Sequence, residues 1–505
     1  MKQNKIVKLL FSMTGLIIVS KLLGFFKQIL TASIFGATLE TDIINLSQDF
    51  TGNIQYLLVQ TLLTAMVAVY IHSRESGEEA SKRFAFDVLK VFTLITAGVV
   101  TIVLVLAPAI SRLLAPTYDA EASAKLTYYL RLFSPVLLFF VWAAIFNALL
   151  HANKRFIPGE MLSVNQSVWM IALVLLLHKQ MGVQVLALAF FAYAVWNAGY
   201  TAVLSRPYWS FSRGNAFKNP LIRQLLKMMA PLLLGYSLIY VNQIVDKMLV
   251  SGLPSGTVTS LSYASVLSNL VCTFITTFAS IFFTYVTTNI SEGRKEAASA
   301  LTSQATILMV AVFLPISILT VVCAQDIVQI VFGRGAFGAE SVRSCALALQ
   351  GYGLMFSVYA VREVFSRYLY AYQDSRRPMI NSSISIVCNI ALSIALCKPL
   401  GVIGVTIATS VSIAVCAVLN TLSAHRRHKE LSLRPLMKYL PYLLAGAVLC
   451  CGVAVVGCRL LSGCGSLARF GIVCLAGFAV YLIPTAPVLL PYVRTLVKAG
   501  SDKKE

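Results

Sequence analysis

Apolar residues run along this chain in long stretches, and the polar positions fall in short clusters between them. A helix needs about 20 consecutive apolar residues to cross the hydrocarbon core of a bilayer. On that rule the pattern predicts fourteen helices, at 8–33, 42–72, 84–114, 125–151, 158–178, 182–205, 221–252, 257–290, 301–324, 341–372, 379–397, 401–424, 438–460 and 467–492. The expected fold class is therefore an all-α polytopic membrane protein. The first stretch is not read as a cleaved signal peptide, because its apolar run is long, holds Lys21 and Lys27, and lacks a small-x-small cleavage site.

Composition agrees with this reading. Of 505 residues, 58% are hydrophobic and only 12% charged, with a mean hydropathy of +0.79. A soluble domain carries about a quarter charged residues, so a cytosolic enzyme, a secreted disulfide scaffold and a disordered chain are all excluded. The net charge of +21 takes its meaning from where the basic residues sit. Lys2, Lys5 and Lys8, Arg74, Lys82 and Arg83, Lys154 and Arg155, Arg294 and Lys295, Arg376 and Arg377, the 206–227 and 426–438 segments and the tail all fall on one set of alternate loops. The opposite loops hold Lys179, Arg334 and Lys398. Positive charge stays on the cytoplasmic side. The asymmetry thus predicts an even number of spans with both termini in the cytoplasm, and no nucleic-acid partner is needed to explain the charge.

The two longest basic loops, 206–223 and 425–438, follow the sixth and twelfth predicted helices. They divide the chain into an N-terminal six-helix bundle at 1–215, a C-terminal six-helix bundle at 216–430, and a final helix pair with a cytoplasmic tail at 431–505. Two bundles of like orientation form the parallel-repeat plan of some transporters, with the substrate path between them.

Ionisable groups inside a bilayer are costly, so they face a wet cavity or a partner. Lys21 and Lys27 lie ~9 Å apart along the first helix. Both are candidates to attract an anionic head group. The competing reading has Lys27 reaching the outer surface and Lys21 paired with a carboxylate. The second helix carries Asp42, Asn45, Gln48, Asp49, Gln55 and Gln60, with Asp42, Asn45 and Asp49 on one face. That face is expected to line a hydrated cavity or to pack against polar groups in the bundle. Arg131 is a further cavity candidate. On the seventh helix Asn242 and Asp246 share a face beside Lys247, and on the tenth Glu363 and Arg367 are spaced as a structural ion pair.

Enzyme signatures are missing. The five histidines show no metal-ligand spacing, and no P-loop is present. Gly333–Gly338 matches G-x-G-x-x-G by letter but sits between spans without a βαβ context, so it is not read as a nucleotide site. The eleven cysteines lie mostly within apolar runs and read as small packing groups, with Cys458 and Cys464 as the one pair placed to bridge near a helix end.

Several motifs carry a family resemblance. Ser20-Lys21-Leu22-Leu23-Gly24-Phe25, Phe35-Gly36-Ala37 and Thr41-Asp42 near the start, Asn242 to Lys247 followed by Ser251-Gly252-Leu253, Phe332 to Phe337, Arg362 to Arg367, Asp374 to Pro378, and Asn389 together resemble the MurJ/MviN family of lipid II flippases, within the multidrug/oligosaccharidyl-lipid/polysaccharide exporter (MOP) superfamily. The similarity runs from about residue 10 to 430. The resemblance implies a V-shaped pair of six-helix bundles, helices 13 and 14 forming a groove for a lipid tail, and a cationic cavity for a diphosphate-sugar head. The substrate it implies is undecaprenyl-diphosphate-linked peptidoglycan precursor (lipid II), moved from inner to outer leaflet by alternating access. Implied partners are that lipid-linked glycan, the membrane and cell-wall synthesis proteins. It places Lys21, Lys27 and Asp42 at family cavity positions, with Asp49, Gln55 and Arg131 as further substrate-binding candidates. In some members a sodium ion is bound, and the site maps to Asp246, Asn389, Ser393, Val405 and Thr409. Asp246 as a plain lysine partner is the alternative.

The chain also departs from the family. Gln55 stands where an arginine is frequent and Gln60 where an acid is, and Tyr263-Ala264-Ser265-Val266 lacks the arginine expected at its end. The remaining cations of the first helix are lysines, which lack the bidentate fork that arginine offers a phosphate. Three other functions therefore compete: a flippase for another lipid-linked oligosaccharide, a cation-coupled exporter of the same superfamily, and a non-transporting cell-wall scaffold.

Overall fold

The computed structural model describes the backbone over residues 2–501 and side chains over 15–489, apart from 234–236, 238 and 239. Among the described residues there are seventeen α-helices and no strand. Eleven helical stretches are long and apolar enough to cross a membrane, or twelve when one bent pair counts as a span.

The chain forms two compact units, Met1–Thr259 with Gly335–Phe337, and Ser260–Arg334 with Gly338–Glu505. The first holds α1 (Lys2–Phe35), α2 (Leu39–Ser73), α3 (Glu78–Leu114), α4 (Ala120–Phe133), α5 (Val136–Ala152), α6 (Ile157–Met181), α7 (Val185–Ser205) and α8 (Pro220–Ser251). Local chemistry fixes several helix starts. Thr38 and Thr41 form a reciprocal capping box at α2, Asp119 accepts from the Ala122 N–H at α4, and Asn219 caps α8 ahead of Pro220. The stretch read from sequence as one helix at 125–151 breaks at Ser134–Pro135 into α4 and α5, because proline has no N–H for the helix ladder.

One apolar core of this unit joins α2, α3 and α5 through Leu62, Met66, Tyr70, Phe84, Val88 and Leu149. A second joins α4, α5 and α7 through Phe133, Phe140 and Phe190, with the Phe133 and Phe190 rings edge to face at 5.0 Å. The segment Gly335–Phe337 packs against the end of α1, where the Ala336 N–H donates to the Ser33 carbonyl at 2.8 Å. Gly36 and Gly335 have φ of +64° and +60°, and a Cβ on either would overlap a backbone carbonyl of the opposing segment.

The second unit holds most of α9 (Thr257–Ser291), then α10 (Lys295–Val322), α11 (Ala324–Val331), α12 (Ala339–Gly353), α13 (Phe356–Ala371), α14 (Arg376–Leu400), α15 (Val402–Arg427), α16 (Arg434–Leu460) and α17 (Ser466–Ser501). The helix expected at 341–372 is α12 and α13, bent by 42° at the break. Phe313, Phe356 and Ala360 centre a core shared by α9, α10 and α13, while α16 and α17 pack on α10 through Leu319, Cys450 and Tyr481. Large side chains such as Leu176, Val203, Val448 and Leu475 stay exposed, as expected where the surrounding solvent is lipid.

Candidate functional site

Several polar residues of α2 meet the start of α9 or the face of α8. Near its start, Asp42 is buried and both carboxylate oxygens accept backbone N–H groups around the beginning of α9, from Gly256 at 2.6 Å and Thr259 at 2.7 Å. Asn45 donates to the Thr259 hydroxyl at 2.9 Å, and the Thr41 and Thr259 hydroxyls are 3.1 Å apart. A carboxylate here meets the unsatisfied N–H groups and positive dipole end of a helix.

Further along, α2 faces α8. Asp49 and Tyr56, seven residues apart, meet Lys247 and Tyr240, also seven apart, because residues spaced by two turns share a helix face. Asp49 and Lys247 form an ion pair, and the two tyrosine rings lie 5.6 Å apart. On α8 itself Asn242 donates to Asp246 at 3.3 Å, as their shared face implied.

The remaining substrate-binding candidates are placed as follows. Lys21 is exposed on α1, next to the Ser20 hydroxyl that donates to Ser163 of α6 at 2.8 Å, and Lys27 is half-buried six residues further on. Gln55 is half-buried on α2, beside Tyr56. Arg131 is exposed near the end of α4, where its Nε donates to the Leu104 carbonyl of α3 at 3.2 Å.

In the second unit α14 and α15 bring together four of the five positions of the sodium expectation. Asn389 donates to Thr409 at 3.3 Å and accepts from Ser393 at 2.9 Å, and Thr409 donates to the Val405 carbonyl at 3.2 Å. Asp246 belongs to α8 of the first unit. The four are hard oxygen donors on facing helices, of the kind a small cation takes.

Two clusters had little or no signal in sequence, and a third is larger than its signal. Asp326 of α11 is buried and chelated by Arg469 of α17, whose Nε reaches both carboxylate oxygens at 2.8 and 3.0 Å. Asn420 of α15 accepts from Asn381 of α14 and donates to Ser366 of α13, each at 2.8 Å, a chain recognisable only as asparagines within apolar runs. Glu363 lies 3.4 Å from both Arg362 and Arg367, so the expected Glu363–Arg367 pair is one half of a triad, and Arg367 also donates to the Thr276 carbonyl of α9.

Against known proteins, the family model described as "Lipid II flippase MurJ" matches residues 31–470. The chain belongs to the MurJ family. A probable lipid II flippase MurJ of Borreliella burgdorferi is 22% identical over 79% of this chain and 79% of its own length, and one of Treponema pallidum is 23% identical over 80% and 78%. Among solved structures, a lipid II flippase MurJ in an inward closed conformation aligns with a TM-score of 0.79 at 21% identity, over 96% of this chain and all of that one. An inward-facing multidrug-resistance MATE transporter of the MOP superfamily aligns at 0.65 and 16% identity, over 82% of this chain and 95% of its own. These likenesses give the fold, and MurJ membership places the chain among membrane transporters rather than enzymes.

Proposed function

We propose that this chain moves lipid II from the inner to the outer leaflet of a bacterial cytoplasmic membrane by alternating access. The observation that carries the proposal is the MurJ family match across residues 31–470. The fourteen spans rest on apolar run length, and the positions of basic residues support an even number with both termini in the cytoplasm. Substrate binding rests on Lys21 and Lys27, whose ammonium groups attract the diphosphate, with Arg131 adding charge. Asp42 and Asp49 shape the α2 face rather than meet the anion directly, since Asp42 holds the start of α9 and Asp49 holds Lys247. Gln55 on the same helix offers a neutral donor to the head group.

A sodium ion would take the oxygen donors Asn389, Ser393, Val405 and Thr409 of the second unit. A bound cation would supply charge neutralisation when the protein returns empty, and the membrane potential adds about 2.3 kcal/mol per charge per 100 mV. A second reading, a different lipid-linked oligosaccharide, is favoured by Val266, which stands where the family pattern has an arginine.

The test is complementation of a strain depleted of its own lipid II flippase, with a flipping assay in vesicles containing lipid II. The wild-type chain should restore growth and flipping, and the Lys21→Ala, Lys27→Ala double variant should lose both. Growth without lipid II flipping would overturn the assignment. Flipping of another diphosphate-linked glycan but not lipid II would move it to the second reading.

A further inference from the structure

We propose that Cys323 and Cys458 are an oxidisable thiol pair that closes to a disulfide at the outer end of the second unit, tying α16 to the junction of α10 and α11. Cys323 ends α10 and starts α11, and Cys458 lies in the last turn of α16. Their sulfurs are 3.9 Å apart although the residues are 135 positions apart in sequence, so packing already brings the two thiols into contact. Cys474 of α17 also contacts Cys323, and Cys464 is exposed in the turn between α16 and α17.

The surroundings favour oxidation over simple packing. Helices α10 and α16 both begin at basic segments, at Lys295 and Arg434, so their far ends, where α16 carries Arg459, lie on the opposite side. Resting on the orientation proposed above, that side is the cell exterior, where thiols are not kept reduced. Access is asymmetric: Cys323 is buried and Cys458 half-buried. Cys458 is therefore the residue that meets an external disulfide first. Its thiolate attacks one sulfur, the external S–S bond breaks, and one thiol leaves carrying the proton that Cys458 gave up. Cys323 then attacks the mixed disulfide, the Cys323–Cys458 bond forms, and the second external thiol leaves with the proton from Cys323. Two cysteine thiols are oxidised and one external disulfide is reduced to two thiols. The expected pair differs from the sequence-based candidate, Cys458 with Cys464, because Cys464 lies exposed beyond the helix end.

The experiment uses the full chain in intact cells. One arm receives oxidised glutathione, which does not cross the membrane, and another receives diamide, which does. Free thiols are then alkylated, the protein is digested without reductant, and linked peptides are identified by mass. Both arms should yield a peptide pair joined through Cys323 and Cys458. That pair should vanish in Cys458→Ser and persist in Cys464→Ser. Failure of both arms, or a Cys323–Cys474 peptide in place of the expected one, overturns the pairing. Linkage by diamide alone overturns the outer placement, and with it the orientation, while leaving lipid II flipping to its own assay.

Discussion

Removal of the Asp42 carboxylate tests the joint between α2 and the start of α9. Two backbone donors, from Gly256 and Thr259, converge on it at 2.6 and 2.7 Å, and the side chain is 2% exposed. Hydrogen bonds to a charged partner contribute about 1.5–3 kcal/mol each, and a buried donor left unmet costs a similar amount. The carboxylate also gains roughly 0.3–1 kcal/mol from the helix dipole. Asp42→Ala should therefore destabilise the protein by about 3–5 kcal/mol. Asp42→Asn keeps one acceptor oxygen but turns an amide N–H₂ toward the other donor, so its loss should be about 2 kcal/mol. Denaturant titration in mixed micelles, followed by tryptophan fluorescence, reads this directly. All four tryptophans, at 142, 169, 196 and 209, belong to the same unit as Asp42. If Asp42→Ala unfolds within about 0.5 kcal/mol of wild type, the capping argument fails. If Asn and Ala variants lose lipid II flipping equally while differing in stability as stated, the negative charge itself is needed for transport.

Three further outcomes follow from other contacts. Lys247→Ala should cost about 1 kcal/mol, the modest figure suited to an ion pair whose Asp49 side chain is 40% exposed; a double-mutant cycle with Asp49→Ala that shows simple additivity would remove the pair from the account. Arg469→Ala strands the buried Asp326 carboxylate and should cost about 3–5 kcal/mol, whereas adding Asp326→Ala should recover much of that loss; melting of the three variants checks the order. In the loop between α15 and α16, burial pushes the His428 pKa below its ordinary 6.5, while its own backbone N–H and the Tyr372 hydroxyl hold Glu430 below the usual carboxylate range. A lowered histidine pKa means the folded loop prefers the neutral ring, so stability is lost as pH falls below the unfolded value of 6.5. A lowered glutamate pKa adds loss in the same direction around and below 4.5. Amide exchange of residues 428–433, corrected for intrinsic rate, should speed up from pH 7.5 to 5; an unchanged rate would contradict the stacking of His428 on Tyr372 at 3.7 Å.

Helix content and membrane character were legible from apolar run length alone, because each span must satisfy its backbone internally. Breaks within spans were less so. Apolar character continues straight through Ser134–Pro135 and Leu354–Met355, and run length cannot register a bend that leaves hydropathy unchanged. Contacts at i, i+4, such as Asn242 with Asp246 and Glu363 with Arg367, were readable because helix geometry alone brings them together. The polar face of α2 was readable as a face, but its partners were not. Asp42 meets residues 214 and 217 positions away, and Asp326 meets Arg469 143 positions away, separations that only tertiary packing closes. The sodium expectation stands between these cases: Asn389 and Ser393 follow from spacing, whereas Thr409 joins them only because α14 packs on α15.

The crossing of the 335–337 segment over the end of α1 has an evolutionary corollary. Main chain lies directly on main chain there, so no pruning of a neighbouring side chain can make room for a new one. In a saturation library scored for growth, positions 36 and 335 should accept almost nothing but glycine, and second-site suppressors should be rare. Drift at the lipid-facing helix surfaces would proceed freely while these two codons stay pinned by the geometry of their carbonyls.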